Sequence, residues 1–307
     1  MTILSEIAEI EFGLKSSDEI RAESVAKIDS SKLTGGPGTV YDDRMGTIDN
    51  EKICETCKEG AKDCPGHFGH VELNVPIIHP LFYKHVTDLL GCFCIDCNRL
   101  LLLEDQIALY GMTRSKGRVR FKKLLEKLEK IDECCHCGHP QPQFKFSPTE
   151  NTVSMVYKRK EKDELEKKIN IVLTVEEIKQ TLEGVVDEDV RLLGLDPDQV
   201  HPRNFIMTAF PVIPPCARPY VVSDGNICDD DLTNAIVEII KANNHLDPEA
   251  EPKINETKQQ KHLQTLKFRV FTFYNNSSGR AKHTTNNRPF KCLKQRLAGN
   301  VTGRVRH

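Results

Sequence analysis

Apolar residues recur at three- and four-residue spacing in several separate stretches of this chain, with prolines and glycines between them. The strongest run is Asp229 to Asn243, where Leu232, Ala235, Ile236, Ile239 and Ile240 share one face behind an acidic start. That pattern predicts a capped amphipathic helix. Phe121, Leu124, Leu125, Leu128 and Ile131 make a second stripe among lysines and glutamates, and its charged face is expected to be solvated. Ile77, Ile78, Leu81, Phe82, Val86, Leu89 and Leu90 come close to helical spacing over 77–90. Thr174-Val175-Glu176-Glu177 is a capping box, so a short helix is predicted to open there and end before Gly184.

Other stretches carry weaker periodicity. Four prolines in 211–219 predict an extended crossing segment. Residues 246–258 read as a polar loop, 158–168 as an exposed helix or loop, and 275–289 as an exposed basic loop. For 262–274 the pattern leaves helix and strand open: Leu263, Leu266 and Val270 suit a helix, the β-branched and aromatic content a strand. Gly35-Gly36-Pro37-Gly38 lacks the Gly-Lys-Ser/Thr that a phosphate loop requires and reads as a turn. No internal repeat is present.

The 307 residues could fill two ordinary domains, yet only 38% are apolar and none is tryptophan. Several small cores, or surface buried against partners, follow from that balance. No apolar run reaches the length of a membrane span, and Met1 to Ile10 lacks the basic start of a signal peptide. An intracellular protein is expected, in which clustered cysteines are metal ligands and not disulfides.

Net charge changes the picture because it is unevenly placed. Thr257 to His307 holds twelve of the 43 Lys and Arg and no Asp or Glu, which leaves 31 basic against 45 acidic residues before it, a net of −14. A basic block of this length is expected to meet phosphates. It also carries Leu263, Leu266, Phe268, Val270, Phe271 and Phe273, more apolar surface than a disordered tail holds.

The cysteines supply the chemistry. Cys54-x₂-Cys57 is followed after six residues by Cys64-x₂-His67, a four-ligand Zn²⁺ set that leaves no coordination position for water. His67 is preferred to His70 because its spacing matches the first pair. Cys94-x₂-Cys97 and Cys134-x₂-Cys137 offer a second closed set, although Cys134-Cys135-His136-Cys137-Gly138-His139 allows more than one pairing. Cys92, Cys135, Cys216, Cys228 and Cys292 are spare. The isolated Cys216, Cys228 and Cys292 are expected to be buried hydrophobes, and no catalytic thiol is predicted because none pairs with a suitable histidine. Loss of either metal set should unfold its neighbourhood.

Beyond these motifs, the chain resembles the largest subunit of multisubunit DNA-directed RNA polymerases over nearly its whole length. The segments that carry the resemblance include Phe12-Gly13-Leu14-Lys15-Ser16-Ser17-Asp18-Glu19-Ile20-Arg21, Asp43-Arg44-Met45-Gly46-Thr47-Ile48-Asp49, and Cys64-Pro65-Gly66-His67-Phe68-Gly69-His70. Cys137-Gly138-His139-Pro140-Gln141-Pro142, Phe210-Pro211-Val212-Ile213-Pro214-Pro215-Cys216-Ala217-Arg218-Pro219, Asp230-Asp231-Leu232-Thr233, Lys241-Ala242-Asn243-Asn244 and Arg288-Pro289-Phe290-Lys291 follow in the family's order. The match is closest to the RNA polymerase II type, eukaryotic or of large DNA viruses.

The resemblance implies an irregular, zinc-stabilised α+β clamp module with several helices and short strands. It divides the chain into an N-terminal clamp core with the first zinc site (1–90), a clamp head with the second (91–170), core helices with a lid (171–257), and a rudder with the start of a switch region (258–307). It implies that the clamp grips template DNA and the RNA–DNA hybrid, with Arg280, Lys282, Arg288, Lys291, Lys294, Arg296, Arg304 and Arg306 as the nucleic-acid-binding residues. The second-largest subunit, the rest of the largest subunit and other polymerase subunits are the implied partners, with no membrane. The location would be the nucleus for a cellular enzyme, or the viral factory or virion for a viral one.

Two departures from the family stand out. Ala298-Gly299-Asn300-Val301-Thr302-Gly303-Arg304 replaces a lysine-rich run in the switch. The triple-aspartate loop that holds catalytic Mg²⁺ in the family lies beyond His307, so this chain is expected to be inactive alone as a nucleotidyltransferase. A different class of function, a stand-alone zinc-dependent nucleic-acid-binding or regulatory protein derived from a clamp, is the alternative. An unrelated zinc enzyme is excluded by the filled ligand sets.

Overall fold

A computed structural model of the chain describes residues 12–115, 117–147, 152–159, 167–223, 225–249, 255–283 and 287–298. Along the chain these hold α1 (Ser17–Glu23), β1 (Gly69–Ile78), α2 (Tyr83–Leu90), α3 (Glu104–Leu109), α4 (Gly117–Leu128), β2 (Gln143–Ser147), β3 (Thr152–Arg159) and β4 (Lys167–Val172). Then come α5 (Val175–Glu183), α6 (Asp187–Leu192), β5 (Ile206–Val212), β6 (Val221–Ser223), β7 (Asn226–Cys228), α7 (Asp231–Asn244), α8 (Glu256–Tyr274) and α9 (Leu293–Ala298). The class is α+β, with short strands in three small sheets: β1 with β5, β2-β3-β4, and β6 with β7. No described helix is long and apolar enough to cross a membrane.

The chain divides into two compact units, each built from separated stretches. One contains residues 1–16 and 82–206, the other 17–81 and 207–307. In the first, Val86, Leu89, Leu90, Leu124, Leu128, Ile178 and Leu182 are buried, so the apolar stripes of α2, α4 and α5 point inward as the periodicity requires. The antiparallel β2-β3-β4 sheet lies beside α2, where Tyr83 stacks on Phe146 at 5.0 Å.

The second unit is organised by α7. Its Leu232, Ile236, Ile239 and Ile240 are buried with Val71, Ile77, Phe210, Leu266, Val270 and Phe273 in one core. Asn243 completes the packing of α7 on β1: its side chain accepts from Asn74 N at 2.9 Å and donates to Glu72 O at 2.8 Å. A buried amide thereby satisfies backbone groups of β1 that would otherwise lose water without a partner. Arg218, fully buried, donates to the carbonyls of Ile213 and Val40 and to Thr233 Oγ1, and so ties three segments together.

The predicted helices at 121–131, 175–183 and 229–243 are present as α4, α5 and α7, and the Thr174 capping box is formed. The 211–219 segment is extended or in short turns, as its prolines dictate. The open stretch 262–274 is helical: Leu266, Val270 and Phe273 form one buried face of α8, which packs on α7. Two expectations are corrected. The run 77–90 is not one periodic element, because Ile77 and Ile78 end β1, Pro80 follows, and the helix begins at Tyr83. Lys158-Arg159 and Lys167-Lys168, read as exposed helix or loop, lie in paired strands with Lys158 opposite Lys168; residues 160–166 lie outside the described set.

His79 gives the second unit a pH dependence. It is buried against Tyr274, with ring centroids 4.9 Å apart, and accepts from Leu81 N through Nδ1. Burial lowers its pKa from 6.5 to about 4. The unfolded chain therefore binds the proton first, so this contribution to stability is complete above pH 6.5 and is lost between 6.5 and 4. The difference amounts to ~3 kcal/mol. Denaturant melts at pH values of about 7 and about 4.5, on either side of the ordinary histidine range, should show a larger loss for wild type than for His79→Leu. Equal losses would assign the acid sensitivity elsewhere.

Candidate metal centres and nucleic-acid interface

Three Cys-x₂-Cys turns of the chain share one backbone geometry. In each, the N–H of the first cysteine donates to the carbonyl five residues on, and the residue four on donates back to the cysteine carbonyl. The pairs are Cys54–Glu59 with Lys58–Cys54, Cys94–Arg99 with Asn98–Cys94, and Cys134–His139 with Gly138–Cys134, all at 2.9–3.0 Å. Closing so tight a loop puts the residue four beyond the first cysteine in the left-handed region: Lys58 at φ 63°, Asn98 at 56°, Gly138 at 73°. A non-glycine residue accepts that conformation at some cost. Both sulfurs of each turn then face the same side.

The turns bring the predicted ligands together. Cys54, Cys57, Cys64 and His67 place their ligand atoms within 4.8 Å of one another, and so do Cys94, Cys97, Cys134 and Cys137. In the second cluster Cys94 Sγ lies 3.6 Å from Cys137 Sγ and Cys97 Sγ 3.7 Å from Cys134 Sγ. A zinc–sulfur bond of about 2.3 Å implies tetrahedral edges of about 3.8 Å, so the donor set fits a zinc ion. Cys64 Sγ and His67 Nε2 are 3.8 Å apart in the first cluster. Both sets could hold zinc, and both are closed.

The neighbours settle which histidine belongs to the first cluster. His67 is positioned by its N–H on Met45 O at 3.0 Å. His70 is committed elsewhere, with Nδ1 2.7 Å from Ser24 Oγ and Nε2 facing Glu72. Gly66 turns the chain between Cys64 and His67 at φ 80°, and a Cβ there would sit 2.5 Å from Cys216 Sγ. Only glycine fits that turn.

Electrostatics of the two clusters are uneven. Burial raises the Cys64 thiol, and its neighbours Cys57 and Cys54 push it further, to about 11. Burial also raises Cys94, but N–H groups of Cys97 and Asp96 and the side chains of Cys137 and Gln141 outweigh it and bring Cys94 to about 7. Packed thiols cannot all ionise without a cation among them, so a metal entering either cluster must displace protons.

The remaining cysteines divide. Cys92 and Cys292 are buried. Cys216 and Cys228 are exposed, against the expectation for isolated thiols: Cys216 lies in a turn and Cys228 on the β6–β7 hairpin. Cys135 faces Leu101 O and stays outside the second cluster.

The same pair of backbone hydrogen bonds recurs in the basic segment without any cysteine. His283 N donates to Arg288 O at 2.9 Å, Asn287 N to His283 O at 3.0 Å, and Asn287 has φ 56°. A carboxylate closes it. Asp231, buried at the start of α7, accepts from His283 Nε2 at 2.9 Å, Arg288 Nη2 at 3.0 Å and Lys291 N at 2.8 Å. Asn276, also buried, holds the flanking backbone by donating to Ala281 O and Phe290 O and accepting from Ala281 N.

Of the predicted nucleic-acid residues, Arg280, Lys282, Arg288, Lys291, Lys294 and Arg296 are exposed. Arg288 pairs with Asp231 and Arg296 with Asp230, so those two cations are partly neutralised within the chain. Arg304 and Arg306 lie outside the described residues. In the sequence Asp229-Asp230-Asp231 reads only as a helix start, and nothing there reveals the part these carboxylates play in holding the basic segment.

Similarity to known proteins runs through the same motifs. The family description RNA polymerase Rpb1, domain 1, matches residues 4–307. The chain belongs to this Rpb1 domain 1 family. It is therefore related to the N-terminal region of the largest RNA polymerase subunit. A probable DNA-directed RNA polymerase II subunit RPB1 homolog of Invertebrate iridescent virus 6 is 34% identical, over 99% of this chain and 36% of the relative. DNA-directed RNA polymerase subunit Rpo1N of Thermococcus celer is 36% identical, over 95% of this chain and 34% of its own length. DNA-directed RNA polymerase II subunit RPB1 of Euplotoides octocarinatus is 30% identical, over 98% of this chain and 66% of the relative. The chain thus spans about a third of the viral and archaeal relatives, and both cysteine clusters fall within the matched Rpb1 domain 1.

Proposed function

We propose that this chain is the clamp part of the largest subunit of a DNA-directed RNA polymerase of the RNA polymerase II type. In this reading it grips template DNA and the RNA–DNA hybrid during DNA-templated RNA synthesis by the whole complex. The observation that carries the proposal is the full-length family match joined to a basic segment fixed on an acidic body. Zn²⁺ in both clusters would hold structure alone, with Cys54, Cys57, Cys64 and His67 around one ion and Cys94, Cys97, Cys134 and Cys137 around the other. Mg²⁺ for nucleotidyl transfer would belong to the complete polymerase.

The parts follow from position. The β6–β7 hairpin, within 219–231, would be the lid: Val221, Val222 and Ile227 on its strands are more than 60% exposed, and apolar side chains so exposed suit packing on bases more than immersion in water. The anchored loop at 275–289 would be the rudder, and 291–307 the start of a switch touching template phosphates. The division at 1–90, 91–170, 171–257 and 258–307 describes these roles. The second-largest subunit and the rest of the largest subunit would be the immediate partners, in a nucleus or in a viral factory or virion.

Substitution of Arg280, Lys282, Lys291 and Lys294 by Ala tests the grip. Binding to a hybrid scaffold should weaken similarly for all sequences, and the salt slope should fall by roughly one unit for each phosphate that is no longer neutralised. Unchanged affinity and slope would remove the segment from the nucleic-acid path. Native pull-down with mass spectrometry should recover a second-largest polymerase subunit; recovery of the chain without polymerase subunits would count against the clamp.

A further inference from the structure

The second cysteine cluster has a partner that no cysteine spacing predicts. Gln141 follows the Cys134–His139 turn, and its Nε2 donates to Cys94 Sγ at 3.3 Å and to His139 O at 2.8 Å. His139 O is also the acceptor that closes its own turn on Cys134 N. One side-chain amide therefore links the two halves of the cluster, 47 residues apart in sequence from Gln141 to Cys94.

The orientation of that amide follows from its surroundings. Both atoms near Nε2 are acceptors, a sulfur and a carbonyl oxygen, and a flipped amide would point Oε1 at both. As it stands, Oε1 is buried with no hydrogen-bond partner among the described residues. Leaving an acceptor orphaned costs free energy, and what the donor side binds must offset that cost. An ionised thiolate is the stronger acceptor for that N–H, and metal-bound cysteine is a thiolate. In the first cluster, the hydrogen bond to Cys64 Sγ comes instead from a backbone N–H, that of Gly66.

We propose that Gln141 is a positioning residue for the metal of the second cluster, holding Cys94 in ligand geometry and joining the two turns through one N–H···S and one N–H···O bond. The inference rests on the reading that this cluster holds zinc and adds the group that tunes it. Outer hydrogen bonds of this kind change metal affinity by roughly 10–100-fold. The first cluster, in the same chain, is the internal reference.

The test uses the full chain loaded with zinc, comparing wild type with Gln141→Met and Gln141→Glu under a competing chelator. In Gln141→Met one of two ions should transfer at roughly 10–100-fold lower chelator concentration while the other is unmoved. Gln141→Glu, which sets a carboxylate beside the thiolate, should lose that ion more readily still. With Co²⁺ in place of zinc, the sulfur-to-cobalt charge-transfer band of Gln141→Met should shift at full occupancy, which a purely steric role would not produce. Release of both ions as in wild type, with an unmoved band, would overturn the proposal. A variant that fails to fold leaves a wild-type measurement: ¹¹³Cd-loaded protein should show coupling between the Gln141 side-chain N–H and the metal through Cys94 Sγ, and its absence would also overturn it. Wild type carrying a single ion, with the second cluster empty, would sink the metal reading itself.

Discussion

In protein loaded with zinc, Cys94→Ser should leave one ion fewer per chain and unfold the surroundings of the second cluster while the first cluster stays loaded. The expectation follows from how the two turns are joined. The turns at 94–99 and 134–139 are short, each closed by two backbone hydrogen bonds, and Cys94 meets Cys137 across 43 residues of sequence. Structural zinc binding contributes on the order of 10 kcal/mol to such cysteine modules, more than the net stability of many domains. Serine keeps the volume but supplies a poor ligand at neutral pH, so the loss falls on coordination. Metal analysis should fall from two ions per chain to one. Hydrogen exchange should rise most across 132–147, less across 92–103, where Phe93 and Leu100 are buried and Leu100 N is held by Asp189, and stay low through α7 and α8, whose core contains no cysteine ligand. Retained protection in 132–147 would show that packing alone holds the turns. Chelation of the wild-type protein should expose both clusters together.

Asp231→Ala should release the basic loop without removing any positive charge. The carboxylate is buried and accepts from His283, Arg288 and the Lys291 backbone. Its loss strands two half-buried donors and one exposed guanidinium. Roughly 2–4 kcal/mol of stability should go, with the lower end favoured because Arg288 is open to solvent screening. Exchange protection in 281–283 and 287–291 should collapse first. Asp231→Asn, which keeps one acceptor oxygen, should lie between. Scaffold binding is the functional readout: Arg288 is released from its ion pair yet the loop loses its fixed shape, so affinity should drop while the salt slope stays or rises. An alanine variant with native exchange in 281–283 and 287–291 would assign the anchoring to Asn276 and leave Asp231 a helix-start residue only.

The difference between these two substitutions traces to what a chain can show before it folds. Cysteine ligands are legible because coordination fixes residue type and spacing together: two sulfurs must leave one tight turn, and the intervening residues are counted. The amphipathic helices are legible because burial of one face imposes a period, and α4, α5 and α7 obey it. Ambiguity began where period and propensity disagreed. The aromatic and β-branched residues of 262–274 suit a strand locally, yet Leu266, Val270 and Phe273 reach α7 only as one face of a helix. At 77–90 the spacing ran across Pro80 and concealed a strand-to-helix change.

Linear order was enough to specify the first ligand set and the candidates for the second, the principal helices, the acidic body with its basic end, and the family. Each of those depends on residues near one another in the chain or on composition. Folding had to occur before Asp231 could close the basic loop, before Gln141 could span the two halves of the second cluster, and before Arg218 could join residues 40, 213 and 233. Those are single polar side chains, most of whose partners lie far away in sequence. A hydrogen bond leaves no period and no spacing, so nothing in the linear order marks it until donor and acceptor come within about 3 Å.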